Sequence, residues 1–162
     1  GYTSSGKTTL FNLLTDENKK TSRSLFTTLS TTTRLLKIGD KGFLLTDTIG
    51  FISRLPTYMI DAFKSTLEES LNADLILLLI DSSEKIEDIR IKYSSCWDVL
   101  DELNVYKSKV FVVLSKYDKT PSEKIEEITK DLQILNPVAI SSKTGYGIHK
   151  LKTMIGYNIV NR

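Results

Sequence analysis

The first eight residues constrain this chain more than any other part of it. Gly1-Tyr2-Thr3-Ser4-Ser5-Gly6-Lys7-Thr8 has the spacing G-x-x-x-x-G-K-[ST], the pattern of a phosphate-binding loop. Its two glycines let the backbone fold around an anion so that successive N–H groups point inward. The run Thr9-Leu10-Phe11-Asn12-Leu13-Leu14 reads as a helix whose positive dipole end faces the same anion. At that spacing the Lys7 ammonium reaches the β- and γ-phosphates of a nucleotide, and the Thr8 hydroxyl is placed to ligate Mg²⁺. Residues 1–9, Gly1 to Thr9, are therefore the first candidate binding set.

The rest of the chain supplies the scaffold such a loop needs. Short apolar runs at 34–38, 42–46, 75–80, 110–114 and 137–140 read as strands. Three of them (LILLLI, VFVVL, VAI) are apolar on both faces, as a sheet covered by helices on both sides requires. The first two flank Ile38-Gly39-Asp40-Lys41-Gly42, a hairpin turn that makes them an antiparallel pair. Between the strands, apolar residues recur every three or four positions. The four sets are Met59, Phe63, Leu67, Leu71; Ile86, Ile89, Tyr93, Cys96/Trp97, Leu100, Leu103; Ile125, Ile128, Leu132, Leu135; and Ile148, Leu151, Ile155, Ile159. For the third, Thr120 is the expected N-cap, with Pro121 first in the helix and Glu123 closing a capping box. Cys96 and Trp97 fall at core spacing and are read as core. Strands alternating with helices predict an α/β fold of three layers, the phosphate-loop NTPase arrangement: a mainly parallel sheet, one antiparallel edge hairpin, and helices on both faces.

Composition removes most other chemistries. The chain has 162 residues, one domain's worth, with 40% hydrophobic and 26% charged residues. One His and one Cys exclude a His/Cys metal cluster and an internal disulfide. The longest uninterrupted apolar run is too short to span a bilayer, and no secretory pattern is visible at the amino end. No membrane partner is expected, and the expected location is the cytoplasm. A net charge of +2 is too small to argue for nucleic acid. Chemistry must come from loops, carboxylates, hydroxyls and lysines.

Three more loops supply them. Asp47-Thr48-Ile49-Gly50 follows the second strand; there a carboxylate can hold a water on magnesium while the Gly50 N–H senses the γ-phosphate. Ser115-Lys116-Tyr117-Asp118 follows the buried strand at 110–114. GTPases usually carry Asn-Lys-x-Asp at this place. The Asp accepts hydrogen bonds from guanine N1–H and the 2-amino group, and the Lys stem covers the base. Adenine offers neither donor in that geometry, so a buried, unpaired Asp rejects ATP. Ser141-Ser142-Lys143 follows the last strand and matches the usual Ser-Ala-Lys loop that supports the base by a backbone N–H. The expected ligands are GTP and GDP with Mg²⁺.

On these residues the chain resembles the HflX family, in the Obg–HflX group of translation-factor-related GTPases. The resemblance is carried by Gly1 to Thr8 with Leu10-Phe11-Asn12, and by Leu25-Phe26-Thr27-Thr28-Leu29. It continues in Asp47-Thr48-Ile49-Gly50-Phe51-Ile52 with Leu55-Pro56, and in Asp61-Ala62-Phe63-Lys64-Ser65-Thr66-Leu67-Glu68-Glu69. It implies GTP hydrolysis coupled to binding of the large ribosomal subunit, its RNA and proteins, by a monomer. It also implies that Phe26, Thr27, Thr28, Leu29 and Ser30 line the nucleotide, with Thr28 a second magnesium ligand. The residues alone leave Thr28, Thr32 and Thr33 as alternatives. The catalytic set implied is Lys7, Thr28 and Gly50; the metal set is Thr8, Thr28 and, through water, Asp47.

Four departures from the family pattern carry expectations of their own. Residues 1–162 read as a GTPase domain without its first strand and without the family's N-terminal domain. Ser115 replaces the usual Asn, which bears on nucleotide affinity. Ser4 replaces an Asn linked in related GTPases to potassium-assisted hydrolysis. Thr31 replaces a common Pro. Phe51 stands where Ras-type GTPases have a water-orienting Gln. A slow intrinsic GTPase completed by a partner is therefore expected, against two rivals: a guanine-nucleotide binding module without useful turnover, and an ATPase or kinase. Arg54, near the second switch, is read as solvated rather than phosphate-bound. Lys19, Lys20, Arg23, Arg34 and Lys37 are candidate contacts to RNA phosphates or an ordinary solvated face.

Overall fold

The computed structural model describes residues 1–16, 31–48, 50 and 72–160. Their order is α1 (Lys7–Thr15), β1 (Thr32–Ile38), β2 (Lys41–Asp47), β3 (Ile76–Asp81), α2 (Ile86–Glu102), β4 (Val110–Ser115), α3 (Ser122–Asp131), β5 (Val138–Ala139) and α4 (Ile148–Val160). Strands β3, β4 and β5 form a parallel sheet in that order. Strands β1 and β2 form an antiparallel pair in register from Thr32↔Asp47 to Ile38↔Lys41. The pairing leaves Gly39 and Asp40 as a two-residue turn. Gly39 takes a φ of 59°, the left-handed backbone that tight hairpins ask of their first central residue.

Strand alternation sorts the core into two layers. Leu78 and Ile80 of β3 and Val112 and Leu114 of β4 bury against Ile89, Cys96, Val99 and Leu100 of α2 and Ile128 of α3. The intervening Leu79 and Val113 turn the other way, onto Leu10 and Leu14 of α1 and Leu151 and Ile155 of α4. Leu36 of the hairpin joins this second layer. The expected three-layer α/β fold is the one observed. Cys96 and Trp97 are core, as their spacing predicted: Cys96 is fully buried and Trp97 packs against the first cluster.

The third helix differs from its sequence reading at both ends. Pro121 occupies the N-cap position and no side chain caps the helix. The Thr120 hydroxyl is instead drawn into the interior, within hydrogen-bond reach of the Lys116 carbonyl at 3.1 Å and of Ser82 Oγ at 3.0 Å. A buried partner across the fold wins over the local cap. At the other end, Leu132 closes the helix through its N–H to the Ile128 and Lys130 carbonyls, and Gln133 turns the chain at φ 51°. Leu135 therefore leaves the apolar face and is exposed. The expected helix at 59–71 lies outside the described residues.

Candidate functional site

The loop at 1–6 ends on a residue that has to be glycine-like: Gly6 has φ 95°, and α1 starts at the next position. This turns the Lys7 side chain back over the loop, where Nζ donates to the Tyr2 carbonyl at 2.8 Å and the Gly1 carbonyl at 3.2 Å. Burial lowers the Lys7 pKa from its usual 10.5 to about 8, and the Asp47 carboxylate only partly offsets it. The helix start aims further positive charge at the same spot. A cation held here at a desolvation cost favours an anion that would share its site.

Asp47, the last residue of β2, is buried and comes to the base of α1, where it accepts a hydrogen bond from Thr8 Oγ1 at 2.9 Å. The two are 39 residues apart in sequence. Gly50 lies against the same loop so closely that a Cβ there would stand 2.7 Å from Lys7 Nζ and 2.9 Å from Thr3 Cα. Only a residue without a side chain fits there. The hydroxyl–carboxylate pair is a hard-oxygen donor set of the kind Mg²⁺ takes, and it sits directly beside the cationic loop. These residues fit a magnesium ion. Among the described residues no cluster of three His, Cys, Asp or Glu could hold a metal by itself.

The other loops gather at the same edge, because every parallel strand delivers its carboxyl end there. Asp118 is exposed, and one carboxylate oxygen accepts from Ser141 Oγ at 2.6 Å. That bond holds the Asp118 carboxyl below its usual pKa range, with help from Lys143 and Lys119. The carboxylate is thus ionised, and Ser141 fixes one of its oxygens. Lys116 takes a left-handed backbone (φ 61°) and its ammonium pairs with Asp81 at the end of β3. Asp81 is oriented in turn by the Ser83 hydroxyl at 2.6 Å and the Ser83 N–H at 3.0 Å. Ser115 is buried, and its hydroxyl donates to the Ser5 carbonyl of the first loop at 2.7 Å, with the Ile80 carbonyl at 3.1 Å. Ser142 is half-buried and Lys143 exposed beside Ser141.

Four residues of this arrangement were not read as site residues from sequence. Asp81 ends a strand on the same edge as Asp47, and that position was a signal. Ser82 and Thr120 back the Lys116 turn through buried hydroxyl contacts, and Tyr146 stacks on Tyr117 with ring centroids 4.3 Å apart and planes at 10°. Nothing local marks these three for this role. Of the expected site residues, Phe26, Thr27, Thr28, Leu29, Ser30 and Ile49 lie outside the described residues, as do Phe51, Arg54, Lys19, Lys20 and Arg23. Ser4 and Thr9 are exposed at the loop's rim, and Arg34 and Lys37 are exposed on β1.

Comparison with known proteins gives this geometry its family. Residues 1–116 match the family described as 50S ribosome-binding GTPase. The chain is 45% identical over 157 residues to GTPase HflX of Methanocaldococcus jannaschii, covering 96% of this chain and 39% of the relative. The chain belongs to the HflX family of GTPases. GTPase HflX of Chlamydia pneumoniae is 40% identical over 158 residues, covering 96% of this chain and 32% of that protein. This HflX-family chain thus spans a third to two fifths of the length of these curated relatives. Among solved structures it resembles a GTP-binding protein from Sulfolobus solfataricus in complex with GDP, at a TM-score of 0.76 and 29% identity over 99% of this chain and 51% of that one. A second structure, of SsGBP and GDP, matches with a TM-score of 0.80 at 29% identity, covering 99% of this chain and 48% of that one. Sequence and fold thus agree on the same GTPase family.

Proposed function

We propose that this chain binds GTP and GDP with magnesium at the edge described above, hydrolyses GTP slowly, and serves as a GTPase domain acting on the large ribosomal subunit. The observation that carries the reading is the meeting of Thr8 Oγ1 and Asp47 Oδ2 beside Lys7, on the same strand edge as the Asp118–Ser141 pair. One end is built for phosphates and a hard cation. The other presents a fixed carboxylate to a base.

In this reading Gly1 to Thr9 wrap the phosphates with backbone N–H groups, and Lys7 exchanges its two carbonyl partners for phosphate oxygens. Thr8 and Asp47 would hold magnesium, directly and through water, with Thr28 as the further ligand that the family resemblance implies. When bound, the ion neutralises charge on the β- and γ-phosphates. The Gly50 N–H would meet the γ-phosphate. Asp118 would accept from guanine N1–H and the 2-amino group, while Lys116 lays its stem along the base and the Ser141-Ser142-Lys143 backbone supports it. Phe51 offers no hydrogen bond to an attacking water, so the barrier must be lowered by loop and metal electrostatics. A partner would supply the remainder.

The description of the matched family supports a ribosomal partner, and a cytoplasmic location agrees with it. Phe51 also favours a second reading, in which the chain senses guanine nucleotide without useful turnover. Single-turnover GTP hydrolysis with and without 50S subunits separates the two. Stimulation by 50S supports the first reading; absence of turnover in both arms leaves the second. A Thr8→Ala variant whose GDP affinity responds to Mg²⁺ as wild type does would overturn the metal assignment.

A further inference from the structure

Ser115 stands where an Asn is usual, and its surroundings fix what it can do. A serine hydroxyl has one proton to donate. Ser115 Oγ lies 2.7 Å from the Ser5 carbonyl and 3.1 Å from the Ile80 carbonyl, and both are acceptors only. Its own carbonyl receives the Ser82 N–H at 3.1 Å and the Ser82 hydroxyl at 2.6 Å. The residue is 3% exposed. Its one side-chain proton is therefore spent inside the protein, tying the phosphate loop to the ends of β3 and β4. Only lone pairs remain toward the nucleotide.

We infer that Ser115 is a positioning residue that couples the phosphate loop to the base-reading loop and makes no contact with the base, so that guanine's N7 goes unread by this side chain. The inference rests on the guanine-nucleotide reading above. N7 is an acceptor and needs a donor; an Asn carboxamide has two N–H groups, enough to tie the loop and reach outward, whereas serine has none left. Recognition in this chain then comes from the N1/2-amino edge at Asp118 and from backbone N–H groups, and an analogue lacking N7 is not penalised.

The test is competition of GDP and 7-deaza-GDP against a fluorescent GDP on the full chain, for wild type, Ser115→Asn and Ser115→Ala. Wild type should bind the two within about twofold of each other, whereas Ser115→Asn should favour GDP by about threefold or more, the effect of one regained neutral hydrogen bond. Ser115→Ala should weaken both nucleotides equally, by about fivefold or more, as expected for a lost buried bond. Its amides in residues 3–8 should also exchange hydrogen faster than those of wild type in the ligand-free chain. A wild-type preference for GDP over 7-deaza-GDP of fivefold or more overturns the inference, as does an alanine variant with unchanged affinity and exchange. The wild-type ratio needs no variant to fold. If wild type binds neither nucleotide, the guanine reading itself has failed and takes this inference with it.

Discussion

The two ends of the candidate site are stabilised by different means. At the phosphate end, Asp47 and Ser5 are buried, Lys7 is held at a depressed pKa, and Gly50 leaves no room for a side chain. At the base end, buried hydroxyls of Ser82, Ser115 and Thr120 and two backbone bonds form the support, but Asp118 and Lys143 themselves are exposed and Asp118 is held by one hydroxyl–carboxylate bond beside a tyrosine stack. Low local dielectric strengthens each interaction at the first end and penalises its loss. Solvent screens Asp118 and Lys143 at the second. The phosphate end should therefore set affinity, and the base end should set identity at lower stakes.

The largest break in that contrast is Lys7→Ala. On the proposed assignment it removes the cation that meets the β- and γ-phosphates, a charge-assisted contact whose loss costs about 2–3 kcal/mol, or about thirty- to a hundred-and-fiftyfold in affinity. Calorimetric titration with GDP measures it. Affinity like that of wild type would show that burial at the loop does not carry binding.

Asp118→Asn should change identity more than affinity. One acceptor becomes a donor, so guanine meets donor against donor at its 2-amino group, while xanthine's carbonyl finds a match. The two bases should exchange preference by about tenfold each way. Competition of xanthosine and guanosine diphosphates reads it. An undiminished guanine preference in the variant would remove Asp118 as the reading residue, and the guanine assignment with it.

The depressed Lys7 pKa gives the contrast a pH signature. Free Lys7 titrates near pH 8, but beside phosphate oxygens its charged form is favoured, so binding above that pH draws in a proton. Calorimetry at pH 8.5 in buffers of different ionisation enthalpy should show uptake that disappears in Lys7→Arg, whose side chain stays charged. The unliganded chain responds in the opposite sense. Between about pH 8 and the unfolded value of 10.5 the unfolded state binds more protons than the folded one, so stability rises with pH through that window. Uptake equal in wild type and Lys7→Arg would place the depressed group elsewhere.

The sequence exposed the phosphate end more fully than the base end, for a physical reason. A turn into a helix start fixes residue types at fixed spacings, so the loop of Gly1 to Thr8 and the strand-end carboxylate of Asp47 that meets it could be read in order. Strand faces were legible too, because Leu78, Leu79 and Ile80 alternate between two cores. What could not be read was pairing across the fold. Thr120 looked like a helix cap because capping is a local rule, yet its hydroxyl bonds Ser82, 38 residues away. Leu135 fitted a helical period that Gln133 interrupts. Tyr146 has no motif, and its stack on Tyr117 exists only because β4 and β5 bring two loops together.

That stack gives the smallest predicted effect and the sharpest test of the contrast. Tyr117 and Tyr146 lie on the two loops that bear Asp118 and Ser141, and their rings stack; the neighbouring Tyr146 phenol raises the Tyr117 pKa. The loops are also joined without them: the Tyr117 N–H reaches the Ile140 carbonyl at 3.0 Å, and the Ser141 N–H reaches the Tyr146 carbonyl at 3.0 Å. Both backbone bonds survive truncation of the side chain. Tyr146 is 52% exposed, so its ring gains less from stacking than a buried pair would. Tyr146→Ala should then weaken GDP by about threefold or less and leave the preference for guanine over xanthine unchanged, because the Ser141–Asp118 bond stays. A loss of tenfold or more, or a change in base preference, would mean that the exposed aromatic pair orders the base end as effectively as burial orders the phosphate end. The division between the two ends would then fail at its weakest point.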